Sequence, residues 1–338
     1  MKFNGLRFTN GILLVLVLVL TLTGLFGLYW TTSDAAFTLH RISGWGLLAV
    51  LPWKAAIVFR SLRRKIHGTQ HPWRLGVSIL LALLTLIVLT LGLLWSGRFG
   101  PADYPLRQTA ISWHWMLALG LLLPFLLHVW KRWPNPRTVD LLSRRGFLRI
   151  AAALPLAALG YIGFGRLASS RQHPQEPVHF TGSRRAGWFS GNDFPLTHNT
   201  APTTEQIASQ NWRLSVTGAV QQPIQFDNTA LGKLPARQVD ATIDCTLGWY
   251  ARQSWSGVTL VDLLAQTGLN RSPAGVWLVS VTGYMHYLPW IEAKDVLLAT
   301  HVGGEVLSSG HGFPLRAVVP SRRGWFWVKW LAEIKVVR

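Results

Sequence analysis

The sequence predicts an N-terminal all-α membrane helical bundle, with four spans plus an anchor or export span, followed by a soluble, strand-rich α+β domain. Charge is divided unevenly: residues 1–165 hold 17 Lys/Arg and three Asp/Glu, whereas residues 166–338 hold 16 and 11. The basic half also contains long apolar runs, and the second half changes to short alternating segments from about residue 211. We therefore divide the chain into a membrane domain (1–140), an anchor span (141–170) and a soluble domain (171–338).

Five apolar runs are long enough to cross a bilayer, which takes about 20 residues. They cover residues 11–30, 40–59, 77–96, 113–130 and 147–165. The loops 60–76 and 131–146 each carry five Lys/Arg, while the alternate loops are nearly neutral. This asymmetry predicts that both basic loops are cytoplasmic and that the chain beyond about residue 166 is extracytoplasmic.

The basic excess lies in short loops between apolar runs, which indicates membrane orientation and excludes nucleic acid as a partner. We expect a multi-pass protein of the bacterial inner (cell) membrane, with the second half of the chain on the periplasmic, or extracytoplasmic, side.

The fifth run is preceded by Ser143-Arg144-Arg145-Gly146-Phe147-Leu148. This segment resembles a twin-arginine export signal, here internal, and that route carries proteins already folded around a cofactor. An ordinary positively charged flank is the alternative for the two arginines. No strong small-residue cleavage site follows, so we interpret the span as a retained anchor.

Two histidines of the fourth run, His114 and His128, predict a haem-binding helix. They are 14 residues apart, which is about 40° short of four full turns, so both rings share one face. Their separation along the axis is roughly 21 Å. That spacing suits two stacked haems and resembles the ligand helix of membrane cytochromes b.

The second axial ligands would come from neighbouring spans. His40 lies level with His114 at the outer side, and His71 lies level with His128 at the inner side, with His67 as the competitor. Interfacial histidines without a metal are the alternative for any single one. Because the chain has a single cysteine, it lacks the C-x-x-C-H motif, and the haems would be non-covalent haem b, one or two in number.

The second half predicts short strands at 212–218 and 238–243, where apolar and polar residues alternate, and further strands at 276–282 and 315–319. Residues 260–267 predict a short helix that ends at Gly268. About 170 residues of this kind are enough for one α+β domain with a single core.

A set of motifs in this half resembles the molybdopterin-binding domain of the sulfite oxidase family, including its periplasmic methionine-sulfoxide reductase branch. The resemblance covers roughly residues 180–338. It rests on Asp244-Cys245, Trp255-Ser256-Gly257-Val258, Ser280, Gly283-Tyr284, His311-Gly312-Phe313-Pro314-Leu315-Arg316, Pro320 and Trp327-Val328-Lys329-Trp330. The sequence ends at Arg338, short of the immunoglobulin-like dimerisation domain of sulfite oxidases proper, so the smaller bacterial members are the better match.

The resemblance implies a molybdenum–molybdopterin cofactor. Cys245, as a soft thiolate, would bind molybdenum beside the pterin dithiolene. His311 and Arg316 would contact the pterin and its phosphate, and Lys329, with the backbone of Trp327 and Val328, would close on the phosphate from the other side. The weaker family positions are His198, Asn199 and Ser280.

Four further residues keep two interpretations each. Arg322 and Arg323 either line the mouth of the pocket or face solvent. Arg252 and His286 are candidates for the substrate side, although isolated residues of these types are usually structural.

Together these expectations describe a membrane-anchored molybdenum oxidoreductase that exchanges electrons between a quinone pool and an extracytoplasmic substrate through b-haems. The favoured reaction reduces an S-oxide, such as free or protein-bound methionine sulfoxide. One alternative is a sulfite-type oxidase that feeds quinone. Another is a membrane cytochrome whose extracytoplasmic domain only docks a partner.

Overall fold

A computed structural model describes residues 4–31, 33–65, 72–99, 108–131, 133, 135, 140, 143–170, 179–197, 211–269 and 272–338. The chain folds into two compact units. The first comprises Met1–Leu28 and Ser33–Gly182, and the second Tyr29–Thr32 and Ser183–Arg338. The fifth helix falls within the first unit, and the three-part division made from the sequence stays a prediction.

The first unit contains long helices that coincide with the apolar runs. They are α1 (Gly5–Tyr29), α2 (Asp34–Lys65), α3 (Pro72–Ser96), α4 (Ala110–Lys131) and α5 (Arg144–Ser169). Among the described residues, five helices are long and apolar enough to cross a membrane. The prediction of a helical region with several candidate spans is confirmed, and the number that cross remains a prediction.

Side-chain caps explain why two of the helices begin before their apolar runs. The Oδ1 atom of Asn4 accepts hydrogen bonds from the N–H groups of Leu6 (3.0 Å) and Arg7 (3.2 Å), which have no partner within the helix. The Ser143 hydroxyl caps α5 by accepting from the N–H of Gly146 (3.0 Å). Ser143 therefore has a structural role that is independent of export.

The second unit is built from two sheets joined by short helices. Its strands are β1 (Arg184–Trp188), β2 (Leu214–Gly218), β3 (Ile224–Phe226), β4 (Ala236–Cys245), β5 (Trp249–Thr259), β6 (Gly275–Ser280), β7 (Met285–Pro289), β8 (Leu297–Val302), β9 (Glu305–Val306), β10 (Arg316–Val318) and β11 (Leu331–Val337). The short helices are α6 (Asn228–Gly232), α7 (Leu260–Ala265) and α8 (Trp290–Ala293), with 3₁₀ turns at Ser309–His311 and Gly324–Phe326.

The first sheet has the order β1-β5-β8-β10, with β4 also paired to β5 and β9 to β8. The long β4–β5 hairpin places Cys245 opposite Trp249. The second sheet has the order β3-β2-β11-β6-β7, in which β11 runs parallel to β2 and antiparallel to β6. A single apolar core fills the unit and includes fully buried side chains such as Trp255 and Leu331.

The strand-rich domain predicted from alternation is confirmed. The four predicted strands correspond to β2, β4, β6 and β10, and the predicted helix to α7. Thr259 caps α7 by accepting from the Asp262 N–H (3.0 Å), and Gly268 takes a left-handed φ of +68° just after the helix. The remaining strands, including β5, β8 and β11, were not predicted.

Candidate functional site

Cys245 lies at the end of β4, where the hairpin turns into β5. Its side chain is 9% exposed. The N–H of Leu247 points at its Sγ atom (3.5 Å), and the Thr197 hydroxyl lies 4.0 Å from the same sulfur. The turn is closed by the Gly248 N–H, which donates to the Cys245 carbonyl (2.9 Å). The thiol is therefore held in a fixed position by backbone on the following turn.

Burial raises the pKa of the Cys245 thiol, because the thiolate loses hydration. The Leu247 N–H, the Thr197 hydroxyl and the positive charge of Arg323 act in the opposite direction. Without a metal the thiol is therefore protonated at neutral pH, and a metal ion that binds there must displace the proton.

His311 is buried in the 3₁₀ turn that precedes β10. Its Nε2 lies 3.1 Å from the Phe194 carbonyl, which can only accept, so Nε2 carries the hydrogen. Nδ1 then accepts from the Ser308 hydroxyl (2.8 Å). Burial, with the nearby charge of Arg316, lowers the His311 pKa from 6.5 to about 4, so the ring is neutral at pH 7.

Arg316 opens β10 and is only 2% exposed. Its guanidinium lies over the rings of Trp255 (5.4 Å) and Trp327 (5.8 Å), and Nη1 donates to the His311 carbonyl (3.0 Å). Its Nε is buried and has no hydrogen-bond partner in the part of the chain that the structure describes. A buried cation with an unused donor marks a place where an anion fits.

Lys329 approaches the same region from the segment before β11. Its Nζ donates to the carbonyls of Thr197 (3.0 Å) and Gly310 (2.8 Å). Burial and the Arg316 charge lower the Lys329 pKa to about 7, while the Cys245 thiolate would raise it. Gly312 allows this approach, because its φ is +114° and an added Cβ would lie 3.2 Å from the Cβ of Lys329.

These residues together fit a molybdopterin. The site combines one soft sulfur ligand with two cations and two buried donors that lack acceptors within the described residues, Arg316 Nε and Trp249 Nε1. Among the described residues, no cluster of three or more His, Cys, Asp or Glu side chains is present to hold a metal. The protein would therefore supply one metal ligand, Cys245, and a cofactor would supply the others.

The remaining residues predicted for this site either make hydrogen bonds within the chain or lie outside the described residues. The Ser280 hydroxyl accepts from the N–H of Thr282 (3.3 Å) within the turn after β6. The N–H groups of Trp327 and Val328 donate to Gly324 and Phe326, so both are engaged within the chain. His198 and Asn199 lie outside the described residues.

Arg322 and Arg323 do not face solvent, because both side chains are buried in ion pairs; their position at the mouth of the pocket stays a prediction. Arg322 pairs with Glu292, and Arg323 pairs with Asp244, the neighbour of Cys245. The sequence reasoning missed both pairs. Asp244 also accepts from the Ser183 hydroxyl (2.6 Å), so a buried polar cluster lies directly behind the cysteine.

The contacts of Arg252 and His286 are with residues other than Cys245, Arg316 and Lys329. Arg252 stacks over Trp188 and Phe189, each at 5.6 Å. The Nε2 atom of His286 lies 2.8 Å from the Tyr284 hydroxyl, which in turn donates to the Trp325 carbonyl (2.9 Å).

The first unit brings two of the predicted haem ligands together. The ring centroids of His40 on α2 and His114 on α4 are 6.1 Å apart. An iron atom held between two imidazole nitrogens at about 2 Å each would separate the ring centroids by roughly 6 Å. The distance is therefore compatible with one metal ion held between these two rings.

Hydrogen bonds determine which nitrogen of each imidazole ring carries the hydrogen and which keeps a lone pair. Nδ1 of His114 donates to the Val88 carbonyl (2.8 Å), which leaves Nε2 unprotonated. The Thr23 hydroxyl donates to the Val19 carbonyl (2.6 Å), so it must accept from Nδ1 of His40 (2.9 Å). Both Nε2 atoms thus keep a lone pair, the arrangement that is usual for histidine ligands.

The second predicted pair lies partly outside the described residues. His71 and its competitor His67 are both beyond the described ranges, and His128 lies on α4, half-buried. The pairing of His71 with His128 stays a prediction.

Comparison with known proteins identifies the second unit. Residues 198–338 match the model of the oxidoreductase molybdopterin binding domain. The uncharacterized oxidoreductase YuiH of Bacillus subtilis is 31% identical over 149 residues, which are 43% of this chain and 74% of that protein.

Longer relatives match over the same part of the chain. Sulfite oxidase of Arabidopsis thaliana is 29% identical over 182 residues, which cover 43% of this chain and 46% of the relative. A nitrate reductase [NADH] of Cichorium intybus is 31% identical over 163 residues, 38% of this chain and 18% of its own. The sulfane dehydrogenase SoxCD from Paracoccus pantotrophus has a solved structure with 24% identity, 43% coverage of each chain and a TM-score of 0.39. The matched segments thus span less than half of these longer relatives.

Proposed function

Because the chain belongs to the molybdopterin-binding oxidoreductases of the sulfite oxidase family, we propose that it links a molybdenum site outside the membrane to a quinone pool through b-haems. We further propose that it works in the direction that reduces an S-oxide such as methionine sulfoxide. Membership of the family makes the chain an oxidoreductase, which conflicts with a purely docking role for the second unit.

The observation that carries the molybdenum site is the cluster of Cys245, Arg316 and Lys329, with buried donors that lack acceptors among the described residues. Arg316 and Lys329 would bind the pterin phosphate by charge-assisted hydrogen bonds. A bound phosphate would raise the lowered pKa of Lys329, so binding near neutral pH would take up a proton at Nζ.

The bound molybdenum would supply oxygen-atom transfer. Cys245 would hold it, and the Leu247 N–H would stabilise the negative charge on the sulfur. The neutral His311, locked between Ser308 and Phe194, would orient the turn that carries its carbonyl to Arg316. These residues position the cofactor and exclude water; none of them needs to change its protonation state during turnover.

The reaction balances over two electrons. An S-oxide takes up two protons and two electrons to give a sulfide and water, and a quinol releases two protons and two electrons as it becomes a quinone. His40 and His114 would hold a b-haem, and the chemistry that this haem would supply is one-electron transfer between quinol and the molybdenum site. Support for the haem comes from the 6.1 Å spacing and free Nε2 atoms of His40 and His114.

Oxidation of a sulfite-like substrate with quinone as acceptor is the second candidate. It is favoured by the similarity to the sulfite oxidase of Arabidopsis thaliana. The same residues serve both directions, so the substrate assay decides between them.

The test is metal content, haem spectrum and turnover of the detergent-purified full chain, with Cys245→Ser as the variant. Asp240→Asn, exposed on the same strand β4, is the matched control. We expect wild type and control to hold stoichiometric molybdenum, to show a b-haem spectrum and to reduce methionine sulfoxide. Cys245→Ser should keep the haem and lose turnover. Haem without molybdenum in the wild type would contradict the proposal, and turnover with sulfite alone would reverse its direction.

A further inference from the structure

Six rings form a continuous aromatic cluster in the second unit, and nothing in the proposed function uses them. The members of this aromatic cluster are Tyr29, Trp30, Tyr284, His286, Trp325 and Phe326. Neighbouring rings lie at centroid distances such as 5.3 Å between Tyr29 and Trp325, 4.3 Å between His286 and Phe326, and 5.6 Å between Tyr29 and Trp30. The cluster is therefore one packed surface rather than scattered side chains.

The inner side of the aromatic cluster is firmly held. The buried Arg322 lies over the rings of Trp30 (4.3 Å) and Phe326 (4.7 Å), and Glu292 neutralises it. Backbone hydrogen bonds fix the segment Tyr29–Thr31, since the Arg323 N–H donates to the Tyr29 carbonyl (3.2 Å) and the Thr31 N–H donates to the Ser321 carbonyl (3.2 Å). These contacts fix the orientation of the rings whose outer side is exposed.

The outer side is open and strongly apolar. The exposed fraction is 40% for Tyr29, 42% for Tyr284 and 38% for Trp325. Tyrosine and tryptophan are enriched where a protein meets the headgroups of a bilayer, because their rings are apolar and their polar atoms can stay hydrated. A contiguous exposed patch of this kind marks a surface that contacts something other than water.

The position of Tyr29 in the chain indicates that the outer side of the aromatic cluster contacts the membrane. Tyr29 is the last residue of α1, a helix long and apolar enough to cross a membrane. A spanning helix ends where the hydrocarbon gives way to the headgroups. Rings packed against Tyr29, within about 6 Å of it, would then lie at that same depth.

We propose that the exposed face formed by Tyr29, Tyr284 and Trp325 is a membrane-docking surface that rests among the phospholipid headgroups where α1 leaves the bilayer. Phospholipid is the expected occupant, rather than a second copy of the chain or a soluble partner, because the surface is continuous with the end of an apolar helix. Docking of this surface on the membrane depends on neither the substrate nor the direction of electron flow.

The test places an environment-sensitive fluorophore at Tyr284→Cys in the full chain, reconstituted in phospholipid nanodiscs. Val306→Cys on β9 is the matched control, because Val306 is likewise exposed (55%) but lies outside the aromatic cluster. The unsubstituted chain, whose single cysteine is buried, measures background labelling. Lipids that carry a nitroxide near the headgroup act as the membrane quencher, and iodide acts as the aqueous quencher.

We expect nitroxide lipids to quench the label at position 284 several-fold more than the label at 306, and iodide to show the opposite order. Equal lipid quenching at both positions would overturn the proposal. Free access of iodide to position 284 would also overturn it. Protection from iodide without lipid quenching would show that protein covers the surface, and would overturn it as well. None of these readouts depends on turnover.

Discussion

The buried carboxylate beside the cysteine is the residue-scale feature with the largest expected effect on stability. Asp244 is fully buried and is bonded to Ser183 and paired with Arg323, which is itself 5% exposed. Replacing one partner of a buried pair leaves the other charge uncompensated, which typically costs about 3–5 kcal/mol. The pair lies directly behind Cys245, so its loss would also disturb the sulfur.

We therefore expect Asp244→Asn to lower the free energy of unfolding of the second unit by about 3–5 kcal/mol. Asp240→Asn, on the exposed side of the same strand, should change it by less than about 0.5 kcal/mol. Chemical denaturation of the detergent-purified chain, followed by tryptophan fluorescence, measures both. Equal stability of the two variants would show that the Arg323 charge finds another partner or solvent.

The sequence was informative at residue scale where a motif is local. Cys245, His311, Arg316 and Lys329 could be named because each sits in a short, recognisable stretch, and the structure then shows Arg316 and Lys329 both bonded to the loop that contains His311. The roles of Arg322 and Arg323 could not be predicted, because their partners Glu292 and Asp244 lie 30 and 79 positions away. Only the fold brings such charges together.

At the scale of elements, glycines on α1 and α3 make room for the histidine pair. A Cβ at Gly92 on α3 would lie 3.1 Å from both Cε1 and Nδ1 of the His114 ring. A Cβ at Gly24 on α1 would lie 3.4 Å from Cε1 of His40. Each ring thus packs against a glycine of a neighbouring helix, and its Nδ1 atom is hydrogen-bonded nearby.

We expect Gly92→Leu to push the His114 ring out of place, and so to reduce the haem content of the purified chain or alter its low-spin absorption spectrum. Gly76→Leu is the control on the same helix, because a Cβ there meets no atom within 4 Å. Both substitutions improve helix propensity by a similar amount, so a difference between them reports on the contact with His114. Identical haem spectra in the two variants would contradict the role of this contact.

Element prediction from the sequence succeeded where the periodicity was simple. The helices coincide with apolar runs, β2 and β4 with alternating segments, and β6 and β10 with the two further strands predicted at 276–282 and 315–319. Strand β5 was missed because it is flanked by β1, β4 and β8 and is buried on much of both faces, so its residues do not alternate cleanly. Strand β11 was missed for a different reason, since its pairing with β2 and β6 depends on residues distant in sequence.

At the scale of the whole molecule, the proposal assigns separate steps to the two units, and the two steps can be removed independently. The histidine pair lies in the first unit and Cys245 in the second. If electrons from quinol reach molybdenum only through a haem at His40 and His114, then loss of that haem should leave the molybdenum site intact but disconnected from quinol.

We therefore expect His114→Ala to abolish quinol-dependent S-oxide reduction while it keeps molybdenum and full turnover with a reduced viologen, which donates electrons directly from solution. Cys245→Ser should lose turnover with both donors. His301→Ala, a half-buried histidine on β8, controls for the loss of an imidazole and should retain both activities. If His114→Ala kept quinol-dependent turnover, electrons would have to enter the second unit without this haem, and the chain would be a molybdenum enzyme on a membrane anchor rather than a fused electron-transfer enzyme.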